Sequence, residues 1–260
     1  NRNVNEITDR ENYLKEQSTE IEDTCSTFSG TLPAFSLADV AFAVKERDIL
    51  NGVTFDILKG SRTVLLGENG CGKTTLLRLI SRLEKPTRGV ILQNIDDKFG
   101  QKSKQSKKWY KKVGVVYQNP DYQLFMQTVE KEIKFGAKSD EYADEIAEKF
   151  GIKHLYARHP QSLSEGQKRR VSIAAVVATD PEVLILDEPT VGQDYKGLCE
   201  MVEVLNKLHE EAHNTMITVT HDKRCAAALC DKSVWIKNGK TYKTGGKELV
   251  DEFFIQIGVN

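Results

Sequence analysis

The sequence predicts an α/β fold: a mainly parallel central sheet, an N-terminal antiparallel β subdomain and an inserted α-helical subdomain. Three observations predict it. Four short apolar runs (64–66, 113–117, 183–186 and 216–220) lack alternation, as strands buried on both faces do. Each run is followed by a glycine or polar residue, namely Gly67, Gln118, Asp187 and His221. A parallel α/β sheet binds ligands along the edge where its strands end, so these four groups are expected on one rim. Between Gln118 and Leu163 the composition then turns helical.

The elements follow in order. Residues 1–34 carry seven acidic and three basic residues without sustained periodicity, and are expected to be a polar linker or tail. Residues 35–260 form the expected main domain. Phe35 and Leu37, then Val40, Phe42 and Val44, alternate as a half-buried strand would, and Val53, Phe55 and Ile57 follow Asn51-Gly52 in the same manner. The helical subdomain is expected over 119–164. In it Ser139 and Asp140 can cap a helix with Tyr142, Ile146 and Phe150 on its apolar face, stopped by Gly151. Leu198, Val202, Leu205 and Leu208 mark another amphipathic helix. Asn238-Gly239 signals a hairpin between 234–236 and 241–242, and 248–257 reads as a terminal helix.

Composition narrows the function. The chain has 260 residues and a net charge of −1, which gives no global pull towards nucleic acid, so no nucleic-acid partner is expected. No apolar run approaches the ~20 residues that span a bilayer; 173–178 is among the longest. No signal peptide is read at the N-terminus. Five scattered cysteines (Cys25, Cys71, Cys199, Cys225, Cys230) read as free thiols in a reducing compartment and not as a disulfide framework. The first residue is Asn, not Met, which accords with a piece of a longer chain.

The chemistry is concentrated in a few motifs. Gly67, Glu68, Asn69, Gly70, Cys71, Gly72, Lys73 and Thr74 fit G-x-x-x-x-G-K-[ST] after a strand and before the apolar helix of Leu76, Leu77 and Ile80. That pattern makes the domain a P-loop NTPase core. Glycines let backbone N–H groups converge on phosphate oxygens, a helix N-terminus adds positive potential, Lys73 would hold the β- and γ-phosphates, and the Thr74 hydroxyl would bind Mg²⁺. Asp187 and Glu188 end a buried strand on the same rim. There Asp187 would serve the metal, and Glu188 would polarise an attacking water, because phosphoryl transfer needs positioning and charge stabilisation more than covalent chemistry. Ser164 and Gln167 form the capping-box pattern S-x-x-Q before a helix with Val171, Ala174, Ala175 and Ala178. With Gly166 that helix start is also an anion site.

Together, the phosphate loop, LSEGQ at 163–167 and VLILDEPT at 183–190 resemble the nucleotide-binding subunits of ABC transporters over about residues 35–250. The resemblance implies ATP and Mg²⁺ as ligands. It extends the phosphate loop through Thr75, and makes Gln118 a metal- and water-contacting residue that also senses the transport partner. It makes Ser164, Gly166 and Gln167 the signature that faces the ATP of an opposing cassette. Asp187 becomes the metal-linked aspartate, Glu188 the catalytic glutamate, Asp194 a residue communicating across the dimer, and His221 a switch contacting the γ-phosphate. The second cassette is a homodimer mate, a paralogue or a fused tandem half. Residues 117–125, YQNPDYQLF, and 164–171, SEGQKRRV, further resemble energy-coupling factor ATPases, which power vitamin, cobalt and nickel uptake. This implies a peripheral protein on the cytoplasmic face of the cell membrane, with an integral membrane subunit docked near residues 118–125. The wording GQD after DEPT resembles second cassettes of tandem-fused members. Two departures stand out. Glu165 replaces a glycine of the usual LSGGQ, and Val44 falls about where relatives place an aromatic that stacks on adenine; Phe42 reads as core.

Three features are set aside. His209 and His213 match H-E-x-x-H, but they sit at the end of a helix and no third ligand is apparent. Seven lysines and no acids between Lys98 and Lys112 read as a solvated surface loop. Cys71 reads as a small residue within the phosphate loop.

Overall fold

The structure, a computed structural model, describes residues 33–45, 47–95 and 107–258. Strand β1 (Pro33–Val44) pairs antiparallel with β2 (Arg47–Leu58) and with β4 (Arg88–Gln93), giving a three-stranded sheet in the order β2-β1-β4. The expected antiparallel subdomain is therefore completed by a strand from beyond the phosphate loop, which the sequence reading passed over. The alternation of β1 breaks between Leu37 and Val40, where the register shifts and Asp39 takes a left-handed φ of 47°. That is how Phe35, Leu37 and Val40 are all buried although the last is out of phase with the others.

The main sheet has six strands in the order β5-β6-β7-β3-β8-β9. These are β3 (Arg62–Leu66), β5 (Val113–Val116), β6 (Val183–Asp187), β7 (Thr215–Val219), β8 (Lys232–Lys237) and β9 (Lys240–Gly245). The first five strands in the spatial order are parallel, and β9 returns antiparallel from β8. All four runs predicted from composition are strands of this sheet. Its two faces are covered by different cores. Leu184, Leu186 and Met216 pack with the helical side of the molecule, whereas Ile185, Ile217 and Leu65 pack with the small sheet and helix α1 (Lys73–Ile80). A residue pointing either way meets apolar neighbours, which accounts for the unbroken runs. A third cluster joins Val64, Leu66 and Trp235 to the last helix, α8 (Lys247–Gln256).

The remaining helices are α2 (Lys107–Lys112), α3 (Val129–Lys134), α4 (Asp140–Lys149), α5 (Glu165–Val177), α6 (Tyr195–Ala212) and α7 (Lys223–Ala228). Ser139 caps α4 through the Tyr142 N–H, as expected. Ile133, Ala143, Ile146, Ala147 and Ala174 share one core, so α5, which lies beyond 119–164, packs with the helices of that stretch. The lysine-rich segment is only partly visible: 98–106 lie outside the described residues. From Lys107 the chain is helical and not a solvated loop, because Trp109 is buried and donates its indole N–H to Gln93 Oε1 at 2.8 Å. His213 ends α6 as a left-handed cap with φ 49°, so it does not continue the helical face of His209, whose Nδ1 lies 3.0 Å from the Asn214 carbonyl.

Candidate functional site

The phosphate loop leaves β3 at Gly67, whose φ is 155°. A Cβ there would lie 2.5 Å from the Ile236 carbonyl oxygen, so a side chain is excluded by backbone. Gly72 has φ 104°, and a Cβ on it would lie 2.5 Å from Leu50 Cδ2. The two ends of the loop are thus pressed against β8 and β2. Helix α1 starts at Lys73 with no side-chain cap at Gly72, leaving its first-turn N–H groups without intrahelical partners. Lys73 is 7% exposed, and its Nζ donates to Gly67 O at 2.6 Å and Glu68 O at 3.0 Å. A buried ammonium beside a helix start whose first N–H groups lack intrahelical partners is an anion site. Burial pushes the neighbouring Cys71 thiol pKa up, against the Lys73 charge.

The acids stand beside this loop. Strand β6 ends on buried Asp187, whose ionised form the Thr74 hydroxyl favours. Glu188 follows with a left-handed φ of 54°, and its N–H donates to Val219 O at 2.8 Å. A non-glycine residue in this region is strained, and such strain gathers at functional sites. Burial raises the pKa of Asp187, opposed by Thr74, Lys73 and Arg169. Burial, with a smaller contribution from the Asp187 charge, pushes Glu188 up to about 6, while the His221 N–H, Lys73 and the Thr220 hydroxyl oppose the rise. The His221 backbone N–H donates to Glu188 Oε2 at 3.2 Å, and its Nε2 lies 3.5 Å from Oε1. Burial and then Lys73 lower the His221 pKa, so the imidazole is neutral near pH 7 and this contact is not an ion pair there. Glu188 Oε1 is buried with no hydrogen-bond partner among the described residues.

These groups suit a hard cation and an attacking water. Two buried carboxyls, one with an orphaned oxygen, and the Thr74 hydroxyl are all oxygen donors, the set Mg²⁺ prefers beside phosphates. Among the described residues, no group of three or more His, Cys, Asp or Glu could hold a metal ion.

Gln118 lies on an exposed loop after β5. Gln123 folds back beneath it, accepting from Tyr117 N at 2.9 Å and donating to Val115 O at 2.7 Å. Arg169 of α5, 2% exposed, donates Nη1 to Tyr117 O at 2.7 Å and Nη2 to Gln118 O. Further along, Glu132 accepts from the Phe125 and Met126 N–H groups at 2.9 and 2.7 Å. The loop so fixed presents Tyr122, 80% exposed, and Phe125, 66% exposed, the latter edge-on to exposed Phe135 at 5.5 Å.

The LSEGQ segment forms a second assembly. Ser164 caps α5 and completes a capping box with Gln167. Gln193 Nε2 donates to Gly166 O at 2.8 Å, and a Cβ on Gly166 would lie 3.1 Å from Gly192 O. Asp194 caps α6 by accepting the Gly197 N–H at 2.7 Å. Among the described residues, no hydrogen bond joins Ser164 or Gly166 to the phosphate loop. Lys73, Thr74, Asp187, Glu188 and His221 lie at or after the ends of β3, β6 and β7, whereas Ser164, Gly166 and Gln167 start α5 and Asp194 caps α6. Val44 ends β1 about half exposed, while Phe42 packs against the core beneath the small sheet. The sequence reading missed Arg169 and Glu132. The available signal was a charged residue on a helix face that otherwise packs inward.

The chain is similar to known proteins. Residues 50–191 match the family described as ABC transporter. The energy-coupling factor transporter ATP-binding protein EcfA2 of Enterococcus faecalis is 40% identical over 79% of this chain and 74% of its own length. Its counterpart in Bacillus subtilis is 40% identical over 77% of this chain and 76% of its own. Among solved structures, cbiO1 of Clostridium perfringens, part of the ABC transporter complex cbiONQ, has a TM-score of 0.74 and 32% identity, covering 85% of this chain and 91% of that one. A dimeric ATP-binding cassette in a post-hydrolysis state bound to ADP and Pi has a TM-score of 0.71 and 26% identity, covering 82% of this chain and 98% of that one. The chain belongs to the ABC transporter family, as a nucleotide-binding ATPase of the energy-coupling factor type.

Proposed function

We propose that this chain hydrolyses ATP within a pair of cassettes and passes the resulting motion to a membrane subunit that takes up a small solute. The observation that carries this reading is the contiguous set Lys73, Thr74, Asp187, Glu188 and His221 on one sheet rim. Gly67, Glu68, Asn69, Gly70, Cys71, Gly72, Lys73, Thr74 and Thr75 cradle the phosphates, with Lys73 leaving its loop carbonyls for the β- and γ-oxygens. Thr74, Asp187 and Gln118 would hold Mg²⁺, which would supply charge neutralisation to the phosphates. Water attacks the γ-phosphorus as Glu188 Oε1 takes its proton; the bond to the β-phosphate oxygen breaks, and ADP and phosphate leave. The neutral imidazole of His221 donates to a γ-oxygen while its backbone N–H fixes the Glu188 carboxylate.

Ser164, Gly166 and Gln167 face the ATP of a second cassette in a head-to-tail pair, and Asp194 lies at that seam. The dimeric relative supports the pairing. The membrane subunit docks near residues 118–125, a site supported by exposed Tyr122 and Phe125. No helix of the described residues is long and apolar enough to cross a membrane, and the chain sits peripherally on the cytoplasmic face. Residues 35–260 act as one ATPase domain, with 119–164 as the helical insertion.

The test is Glu188→Gln. It is expected to retain ATP binding, to lower kcat by about 10²- to 10⁴-fold, the contribution of a positioned general base, and to accumulate as an ATP-bound dimer by light scattering. Turnover at the wild-type rate would remove Glu188 from this role.

A further inference from the structure

We propose that Arg169, assisted by Lys168, is a positioning residue that locks the Gln118 loop onto the helix carrying Ser164 and Gly166. The proposal rests on the reading of Gln118 given above.

Arg169 is among the largest fully buried side chains of the described residues. A guanidinium in that position is costly unless it is paired. Here it meets no carboxylate directly: two nitrogens reach the carbonyls of the consecutive residues Tyr117 and Gln118, and Nε has no partner among the described residues. Asp187 and Glu188 act on it only through their field. An apolar side chain of the same volume would fill the site at lower cost, so packing alone does not call for arginine. A planar fork holding two successive carbonyls does one thing an apolar residue cannot. It fixes the two peptide planes that flank Gln118, and with them the direction in which the Gln118 side chain leaves the backbone.

The adjacent residue repeats the attachment. Lys168 Nζ donates to Asp121 Oδ1 at 2.9 Å and lies 3.4 Å from Glu165 Oε1. Two consecutive residues of α5 thus grip the loop at Tyr117-Gln118 and at Asp121. The same helix starts at Ser164, five residues before Arg169, a rise of about 7.5 Å. The loop that presents Tyr122 and Phe125, and the helix start that faces the opposing nucleotide, are one mechanical body. A displacement of either is delivered to the other without loss in a flexible joint.

The test is a double-mutant cycle on the full chain, with kcat and KM for ATP measured for Arg169→Lys, Gln118→Ala and the pair. Lysine keeps the charge but cannot hold both carbonyls. Arg169→Lys is expected to lower kcat about tenfold while KM changes less than about twofold, since small misplacements of catalytic groups alone reach about 100-fold. The pair is expected to be no slower than Gln118→Ala alone, because both changes remove one function. Wild-type kcat in Arg169→Lys, or multiplicative losses in the pair, would overturn the tether. Gln118→Ala turning over at the wild-type rate would instead overturn the role of Gln118, and the proposal with it. Should Arg169→Lys not fold, Lys168→Met replaces it: a kcat loss that is non-additive with Gln118→Ala supports the tether, and an unchanged kcat refutes it.

Discussion

Replacing Glu188 by Gln should stabilise the nucleotide-free protein while disabling it, and the gain should depend on pH in a defined window. The carboxyl is 4% exposed, and burial raises its pKa from 4.5 to about 6. At about 1.4 kcal/mol per pH unit, the folded state carries a penalty of about 2 kcal/mol for holding this group ionised. The direction follows from linkage. A carboxyl whose folded pKa is raised binds its proton more tightly in the native state, so its stabilising contribution is present below pH 4.5 and is lost as pH rises through about 6. Gln is neutral throughout and retains an oxygen to accept the His221 N–H. The difference between Glu188→Gln and wild type should therefore be near zero at pH 4.5 and reach about 2 kcal/mol at pH 8. For a chain of this size that is about 4–8 °C in Tm. Paired thermal and urea melts of both proteins across pH 4.5–8 measure it, and titrating groups distant from Glu188 cancel in the difference. A difference that is flat across the range, or a Gln variant less stable than wild type at pH 8, would refute the argument that burial dominates this site.

Other consequences follow from the same contacts. Lys73→Met should weaken ATP binding about 100-fold or more by calorimetric titration, because two charge-assisted hydrogen bonds to phosphate oxygens are lost. Glu132→Ala leaves the Phe125 and Met126 N–H groups without their acceptor and should cost about 1–3 kcal/mol in urea unfolding; Glu132→Gln, which keeps an acceptor oxygen, should recover most of that. Tyr122→Ala combined with Phe125→Ala should abolish co-purification with the membrane partner while the isolated chain hydrolyses ATP at its usual rate, both side chains being mostly exposed. Unchanged co-purification would remove residues 118–125 from the docking site.

The sequence by itself determined the parallel sheet, the phosphate loop and the polar group ending each of four strands. Those features are local. A strand buried on both faces is apolar residue by residue, and the loop needs glycines and a lysine at fixed spacing whatever surrounds it. Ser164 with Gln167, and Asn238-Gly239, were legible for the same reason, since a cap or a hairpin turn is settled within four residues. The tertiary structure decided what depends on neighbours distant in sequence. Strand β4 belongs to the small sheet only because Phe35 and Leu37 wait beside it. Trp109 turns the end of the lysine-rich stretch into a helix anchored by its own buried indole, which meets Gln93. Glu188 owes its raised pKa to packing between the ends of β6 and β7, and Arg169 owes its position to two carbonyls some fifty residues earlier. Which residues are candidates for the chemistry was written in the motifs. How strongly each is desolvated, and to what it is tied, came only from three-dimensional burial.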